Sequence, residues 1–457
     1  MAQKKIIEGG FMKFLKVFFP ILLLAGLALA QTTGSIEGLA LDNNKQPLPG
    51  VTIEITSAAL QGVRTVTTDV NGKFAFKILP VGEYKLTAKM QGFANLEQSN
   101  IQVGLDQTVT LQVNMQPAFE EKITITGESP VVDVTNTTMG SNFTKDLIDD
   151  LPSGRSYQAV AFLAAGSVNG GLDNNNPSIM GASAAENKYI VDGMDTTDPG
   201  YGVSGTNVTY NFVQEIEVKT GGYEAEYGGA LGGVVNVVTK QGSNEFHTDI
   251  FGYFTNSDLT TEGKTIPNPK NSSLKSFETY DYGIDVGGKI IEDKLWYFVA
   301  LNPTHHKEDR TIDILRMASD NSLVQTNNPE PEQNATYVAT KLNFQMDPSN
   351  SFVATVIGDP QKNKTDYETA FYVDSPNTGI DPTTGDPAQT NKYYKDSKQG
   401  SWNYGLTYNS VLTPSLMLEL KASKYDYKEK YLSQWDYTSW QDSTGAGDYS
   451  NGIGNGI

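Results

Sequence analysis

The sequence predicts a mainly β protein, on three observations. The composition favours Gly, Thr, Asn, Val and Tyr, with 44 glycines and 23 tyrosines in 457 residues, rather than the Ala, Glu, Lys and Leu of helical chains. Short runs of alternating apolar and polar residues recur along it, separated by Asn-Gly, Pro-Gly and Asp-rich turns. Beyond residue 30 no stretch is long and apolar enough to cross a bilayer as a helix. The pattern divides into a small β-sandwich, an α+β segment and a series of longer antiparallel strands.

The N-terminus sets the compartment. Lys13 and Lys16 precede the apolar run Val17–Ala30, which closes with Ala28-Leu29-Ala30 before Gln31. A basic start, a short apolar stretch and a small-residue exit are the parts of a secretory signal, with cleavage expected at Ala28, Ala30 and Gln31. A spanning helix needs roughly 20 apolar residues, and this run is shorter and contains Pro20. Residues 1–30 are therefore expected to be a signal peptide, starting at Met1 or at Met12. If the exported protein enters a membrane, it does so as a closed barrel, the other structure that pairs all its backbone groups. The formal charge of −19 argues against a nucleic-acid partner, which requires clustered Lys and Arg. The absence of cysteine excludes disulfides, Cys-ligated zinc and thiol catalysis.

Residues 31–117 are expected to form the sandwich. Candidate strands are Ser35–Leu41, Val51–Thr56, Phe74–Ile78, Tyr84–Met90 and Thr108–Met115, with turns at Asp42-Asn43-Asn44, Pro49-Gly50, Asn71-Gly72 and Val81-Gly82; about seven short strands in so short a segment suit this fold. The ordered runs Pro47–Val51, Thr68–Phe74, Leu79–Tyr84 and Gly92-Phe93 resemble the carboxypeptidase-regulatory-like domain. That name raises a zinc peptidase as an alternative, and His305-His306-Lys307-Glu308 contains a His-x-x-Glu pair. Only His247, His305 and His306 exist, however, and none follows His306. A catalytic zinc normally has three protein ligands, so these histidines are expected in a solvated loop. No catalytic residue, metal or cofactor is assigned.

Residues 118–245 change in texture. Glu121-Lys122-Ile123-Thr124-Ile125-Thr126-Gly127 is a brief alternating strand after a Pro-containing junction. Then come Leu147–Tyr157, containing Gly154 and Arg155, and a short helix expected over Gln158–Leu163. Lys188–Asp195 follows, with Asp192-Gly193, then Val213–Tyr223 with Glu215 and Glu217, and finally Ala225–Lys240 with Tyr227, Gly228, Gly229, Gly232 and Gly233. In this order the four pieces resemble the plug domain of TonB-dependent receptors, particularly the Oar-like subgroup that carries the regulatory-like domain in front. By position, Glu121–Gly127 resembles a TonB box, offered to an energy-transducing partner by strand addition. The glycines are expected to let plug strands bend against a surrounding wall. Asp192, Asp195 and Asp198 lack EF-hand spacing, and the Gly pairs lack the P-loop and dinucleotide patterns.

From residue 246 to 457 the alternation fits strands of a transmembrane β-barrel. Apolar residues take the even positions in Tyr280–Val286 and Val338–Met346, and the pattern repeats in Trp402–Asn409 and Leu416–Ala422. Tight turns at Glu292-Asp293 and Thr413-Pro414 alternate with long polar stretches such as Gly358–Gly400, and Trp296, Tyr297, Phe298, Trp402, Tyr404, Tyr425 and Tyr427 suggest aromatic girdles. A plugged transporter barrel has about 22 strands, roughly 550 residues at about 25 each. Here 457 − 245 = 212 remain, enough for about eight, so an N-terminal fragment is expected. The resemblance implies a receptor in the outer membrane, in contact with its lipid, that binds an extracellular siderophore, oligosaccharide or peptide. A TonB-type protein in the periplasm would move the plug to import the ligand. The alternative is an outer-membrane-anchored adhesion or surface-assembly protein without transport. The substrate-binding residues and the cargo are not legible.

Overall fold

A computed structural model describes residues 32–60, 62–117, 123–126, 138–169, 176–224, 227–261, 272–315, 323–364, 366–369, 391–413 and 416–435. The expected signal peptide with Ala28, Ala30 and Gln31, and Glu121, Lys122 and Gly127, lie outside them.

The first unit is a two-sheet sandwich. Its strands are β1 (Gly34–Leu41), β2 (Thr52–Thr56), β3 (Arg64–Thr67), β4 (Lys73–Leu79), β5 (Gly82–Lys89), β6 (Leu96–Val103) and β7 (Thr108–Asn114), joined later by β8 (Ile123–Thr126). One sheet has the order β4-β1-β7 and the other β3-β2-β5-β6-β8. In β7 Val109, Leu111 and Val113 turn into the core with Ile36, Phe74 and Phe76, as a half-buried strand requires. Two strands, β3 and β6, were not legible. β3 is only four residues long, and in β6 a register shift beside Asn100, at φ 61°, breaks the period of two. At Asn71-Gly72, Gly72 has φ 73° and Asp69 accepts the amides of Asn71 and Lys73 at 2.8 Å, closing the turn.

The second unit begins with β9 (Met139–Thr144), α1 (Lys145–Asp150) and α2 (Tyr157–Ala161), followed by the small pair β10 (Ser167–Asn169) and β11 (Pro177–Ile179). Then come β12 (Lys188–Val191), β13 (Met194–Asp195), β14 (Val213–Gly221) and β15 (Val234–Thr239). The main sheet has the order β13-β12-β15-β14-β9, with β12 and β15 parallel. Every residue of β15, Val-Val-Asn-Val-Val-Thr, is buried, as expected of a central strand covered on both faces. Ser156 caps α2 by accepting the Ala159 amide at 3.3 Å.

The third unit is a meander: β16 (His247–Asn256), β17 (Ser272–Ile291), β18 (Leu295–Leu315), β19 (Leu323–Asn327), β20 (Glu332–Asp347), β21 (Asn350–Gly358), β22 (Gln361–Lys364), β23 (Asp366–Thr369), β24 (Asn391–Thr413) and β25 (Leu416–Trp435). The long strands pair antiparallel in the order β16-β17-β18-β20-β21-β24, and β25 continues on β24. Alternation sorts the faces. Tyr282, Ile284, Leu342, Phe344, Leu406 and Leu420 are exposed on the outside, while Asp281, Asp285, Lys341, Asn343 and Asn403 are buried toward the second unit. That is the outside-apolar, inside-polar division of a barrel wall.

The wall departs from expectation in three ways. Five of its described strands, β17, β18, β20, β24 and β25, are longer than about ten residues, β24 reaching 23, so their pairing is longer than a span of the hydrocarbon layer needs. Part of the Gly358–Gly400 stretch is accordingly strand rather than loop. His305 and His306 also lie in a strand, β18, not in a solvated loop; His306 Nδ1 is 2.8 Å from Thr279 Oγ1 and its Nε2 3.1 Å from Glu308. Finally, Trp296 and Phe298 are fully buried toward the interior, the Trp296 indole donating to Asn244 at 2.7 Å, so they form no girdle.

Candidate functional site: the contacts that hold the plug

The second unit sits against the polar face of the wall, and a few charged side chains fasten it there. Asp192 and Gly193 form the β12–β13 turn, with φ 48° and 74°, the left-handed pair a two-residue hairpin needs. The turn aims the Asp192 carboxylate at two elements. It accepts the Thr239 amide at 2.9 Å and hydroxyl at 2.6 Å, and it pairs with Lys341 of β20 at 2.8 Å. Lys341 also donates to the Thr239 carbonyl at 2.9 Å. Both side chains of the ion pair are 5% exposed. A Cβ on Gly193 would stand 3.1 Å from Lys421 Nζ of β25, so this glycine does meet the wall.

Arg155 makes the second fastening. Its Nε donates to Asp281 Oδ2 at 2.6 Å and its Nη2 to Oδ1 at 3.1 Å, the two-pronged geometry for which guanidinium is suited. Nη1 donates to Asn211 at 2.5 Å, and the guanidinium lies 3.7 Å from the ring centre of Tyr253 in β16. Asn302 donates to Asp281 at 2.6 Å, so the carboxylate is also held from the wall's own side. The backbone of Arg155 is set by the Tyr210 amide, which donates to its carbonyl at 3.0 Å. Gly154 makes room beside it, since a Cβ there would fall 2.9 Å from that of Ala159.

Two further fastenings carried no legible sequence signal. Lys240, at the end of β15, reaches Asp285 at 2.9 Å and Asp249 at 2.8 Å. Asp359, buried after β21, accepts the Asn207 amide at 2.9 Å and the Ser401 amide at 2.7 Å, beside a 2.7 Å contact between the Thr206 and Ser401 hydroxyls. Apolar contact with the wall is supplied by Phe298, Ala300, Ala339 and Ile357, two of them alanines.

On its other side the plug meets the sandwich. Glu215, Glu217 and Lys219 alternate along β14 and are buried. Glu215 accepts the Leu105 amide of the β6–β7 loop and Asn142 of β9, both at 2.9 Å. Lys219 pairs with Asp106 of the same loop and with Glu217, each at 2.8 Å, and lies 4.9 Å from the Tyr227 ring centre. Burial pushes both carboxyls up to about 7. The Leu105 amide opposes that rise at Glu215, and Lys219 opposes it at Glu217. Between sandwich, plug and wall lies a cavity of about 380 Å³ lined by Arg64, Asp192, Lys240 and Lys341 among others.

The structure thus brings Arg155 and Asp192 to the wall, and Glu215 and Glu217 to the sandwich. Gly232 and Gly233 do not bend against the wall as expected. A Cβ on Gly232 would stand 2.4 Å from Asn187, and one on Gly233 2.6 Å from Ile179 and 2.9 Å from the Lys219 carbonyl, so their close approach is within the plug. Gly228 accepts Lys188 through its carbonyl at 3.1 Å. Among the described residues no group of three His, Asp or Glu side chains could hold a metal.

Three family profiles match in succession: "Carboxypeptidase regulatory-like domain" over residues 35–116, "TonB-dependent Receptor Plug Domain" over 133–234 and "Outer membrane beta barrel domain" over 238–314. The chain is 36% identical over 320 residues to the TonB-dependent transporter Oar of Myxococcus xanthus, covering 66% of this chain and 30% of that protein. It thus spans about a third of the relative's length. Among solved structures, the outer-membrane transporter YddB from Escherichia coli aligns with 16% identity and TM-score 0.46, over 62% of this chain and 38% of that one. The siderophore receptor PirA from Acinetobacter baumannii aligns with 19% identity and TM-score 0.36, over 64% and 44%. Carboxypeptidase regulatory-like, TonB-dependent receptor plug and outer-membrane β-barrel segments thus follow one another on one polypeptide, and the chain is similar over 320 residues to a TonB-dependent transporter.

Proposed function

We propose that the protein imports an extracellular ligand through the outer membrane by an energy-coupled movement of the plug. The observation that carries this is how the plug is held. It rests on separate charge-assisted contacts at Arg155–Asp281, Asp192–Lys341 and Lys240–Asp285, with a limited apolar contact at Phe298, Ala300, Ala339 and Ile357. Such bonds are strong one at a time, about 1.5–3 kcal/mol each, and short in reach. A displacement of an ångström or two breaks one completely, and the polar wall left behind suits water and a polar solute. A continuous apolar seam would instead resist displacement along its whole length.

Ile123–Thr126 is the segment on which a periplasmic TonB-type protein would pull, by strand addition. The next described strand, β9, is the edge of the plug sheet and, among the described residues, pairs with β14. Tension therefore arrives at the strand whose Asn142 steadies Glu215. We assign the protein no catalytic role and propose that its ligand, a siderophore, oligosaccharide or peptide, is selected on the extracellular side.

Ile123→Pro tests the coupling, since proline removes an N–H and cannot extend a strand. Uptake of labelled ferric siderophores, oligosaccharides and short peptides would be compared in cells matched for outer-membrane level of the protein. Loss of uptake with surface binding intact is the expected result. Full uptake by the variant refutes energy coupling through this segment.

A further inference from the structure

We infer that the cavity where sandwich, plug and wall meet is a binding site for one small oxyanion, a phosphate or a carboxylate, with Arg64 as its anchor. Arg64 begins β3 and stands opposite Ile55 of β2. Its side chain reaches across to the other sheet of the sandwich. There Nη1 donates to the Lys77 and Ile78 carbonyls of β4, each at 3.0 Å. A guanidinium carries five N–H donors in a fixed fork. Those on Nε and Nη2 therefore have no acceptor among the described residues. Nε and Nη2 form the edge that matches two oxygens of one anion, and it is the edge that Arg155 presents to Asp281.

The charge of Arg64 is unanswered as well. Among the described residues the ionisable group that faces it is the Tyr84 phenol. Tyr84 donates to the Pro80 carbonyl at 2.7 Å, and burial holds its proton on. Burial correspondingly lowers the guanidinium from its ordinary range. A cation taken out of water without a counter-ion is costly, and an oxyanion beside it offsets that cost. The adjoining cavity, of about 380 Å³, is bounded by Arg64 and Ser57 of the sandwich, Thr239 and Lys240 of the plug, and Thr355 and Thr407 of the wall. That is far more than the roughly 30 Å³ share of one water, so the ion enters with part of its hydration. Two carboxylates on the lining are already held, Asp192 by Lys341 and Asp249 by Lys240. Glu83, on the rim, is exposed on the face of β5 opposite Tyr84. Arg64 is left as the cation with charge to spare.

The site stands whether or not the protein transports, and calorimetry tests it directly. Full-length protein in detergent, freed of phosphate, is titrated with inorganic phosphate and separately with succinate. One site per chain is expected. Arg64→Gln should weaken binding at least tenfold, the worth of a two-pronged charge-assisted contact, and Arg64→Lys, which keeps the charge without the fork, should fall between. Because Arg64 also ties the two sheets together, Ala58→Glu serves as the second variant. Ala58 is exposed on the cavity lining, and a carboxylate there competes for the guanidinium without touching its bonds to Lys77 and Ile78; binding should fall about fivefold. Binding of phosphate alone marks a free ion, whereas succinate competing for the same Arg64-dependent site marks the acidic group of an organic solute. No binding of either ion by the wild type, or binding that both variants leave unchanged, overturns the site. Loss in Arg64→Gln with Ala58→Glu unchanged traces to the sandwich fold and overturns it too.

Discussion

The grip of the sandwich on the plug should weaken as pH rises through neutrality, and Glu215→Gln should remove much of that dependence. Glu215 has an ordinary value of 4.5 in water and is pushed up to about 7 by burial, with the Leu105 amide opposing the rise; the dependence follows if docking of the sandwich is the step that completes that burial. Below 4.5 the carboxyl is neutral whether the loop is docked or not, and the contact has its full strength. Between 4.5 and 7 the undocked carboxyl gives up its proton while the docked one keeps it, so docking is progressively opposed. Above 7 both are ionised and the loss is complete, at about 3 kcal/mol by 1.36 kcal/mol per pH unit. About 2 kcal/mol of this falls between pH 5.5 and pH 8, roughly a 25-fold rise in the opening constant. Glutamine keeps an oxygen for the Leu105 and Asn142 donors and carries no charge. The assay is hydrogen exchange at the Leu105 amide, corrected for the intrinsic effect of pH. The wild-type amide should lose protection at pH 8, Glu215→Gln should lose less, and Glu215→Gln with Glu217→Gln should be nearly flat, because Glu217 is displaced in the same direction. Unchanged wild-type protection across this range, or equal loss in the double variant, would refute the reasoning.

Three other perturbations probe the wall and the plug interior. Lys341→Met leaves the buried Asp192 carboxylate without its cation and should cost about 3–5 kcal/mol, read as a lower plug melting temperature in detergent; adding Asp192→Asn should restore part of the loss. Arg155→Lys keeps the charge but cannot bridge both oxygens of Asp281, so about 2 kcal/mol of plug retention should go, measured as increased solute leak through the reconstituted protein. Gly233→Ala places a methyl 2.9 Å from the backbone carbonyl of Lys219 and should destabilise the plug by about 1–3 kcal/mol, whereas Gly181→Ala, with open space around its Cβ but φ 85°, should cost about 1 kcal/mol.

What the sequence determined by itself was whatever depends on local periodicity. Alternation in Tyr280–Val286 and Val338–Met346 specifies both a strand and its two faces, because side chains on a strand must point to opposite sides, and burial sorts them as the pattern says. Asn71-Gly72 and Asp192-Gly193 mark turns because their backbone conformations are available to few residues. The resemblance of the plug pieces identified Arg155, Asp192, Glu215 and Glu217, but their partners were not legible. Asp281 lies 126 residues from Arg155 and Lys341 149 from Asp192, and no local pattern encodes a pairing across that distance. Tertiary structure also decided that Trp296 and Phe298 turn inward, that β6 is a bulged strand, and that two glutamates look toward the sandwich. Register and burial depend on which surface arrives opposite, and a one-residue slip along a strand would have sent each of these side chains to the other face.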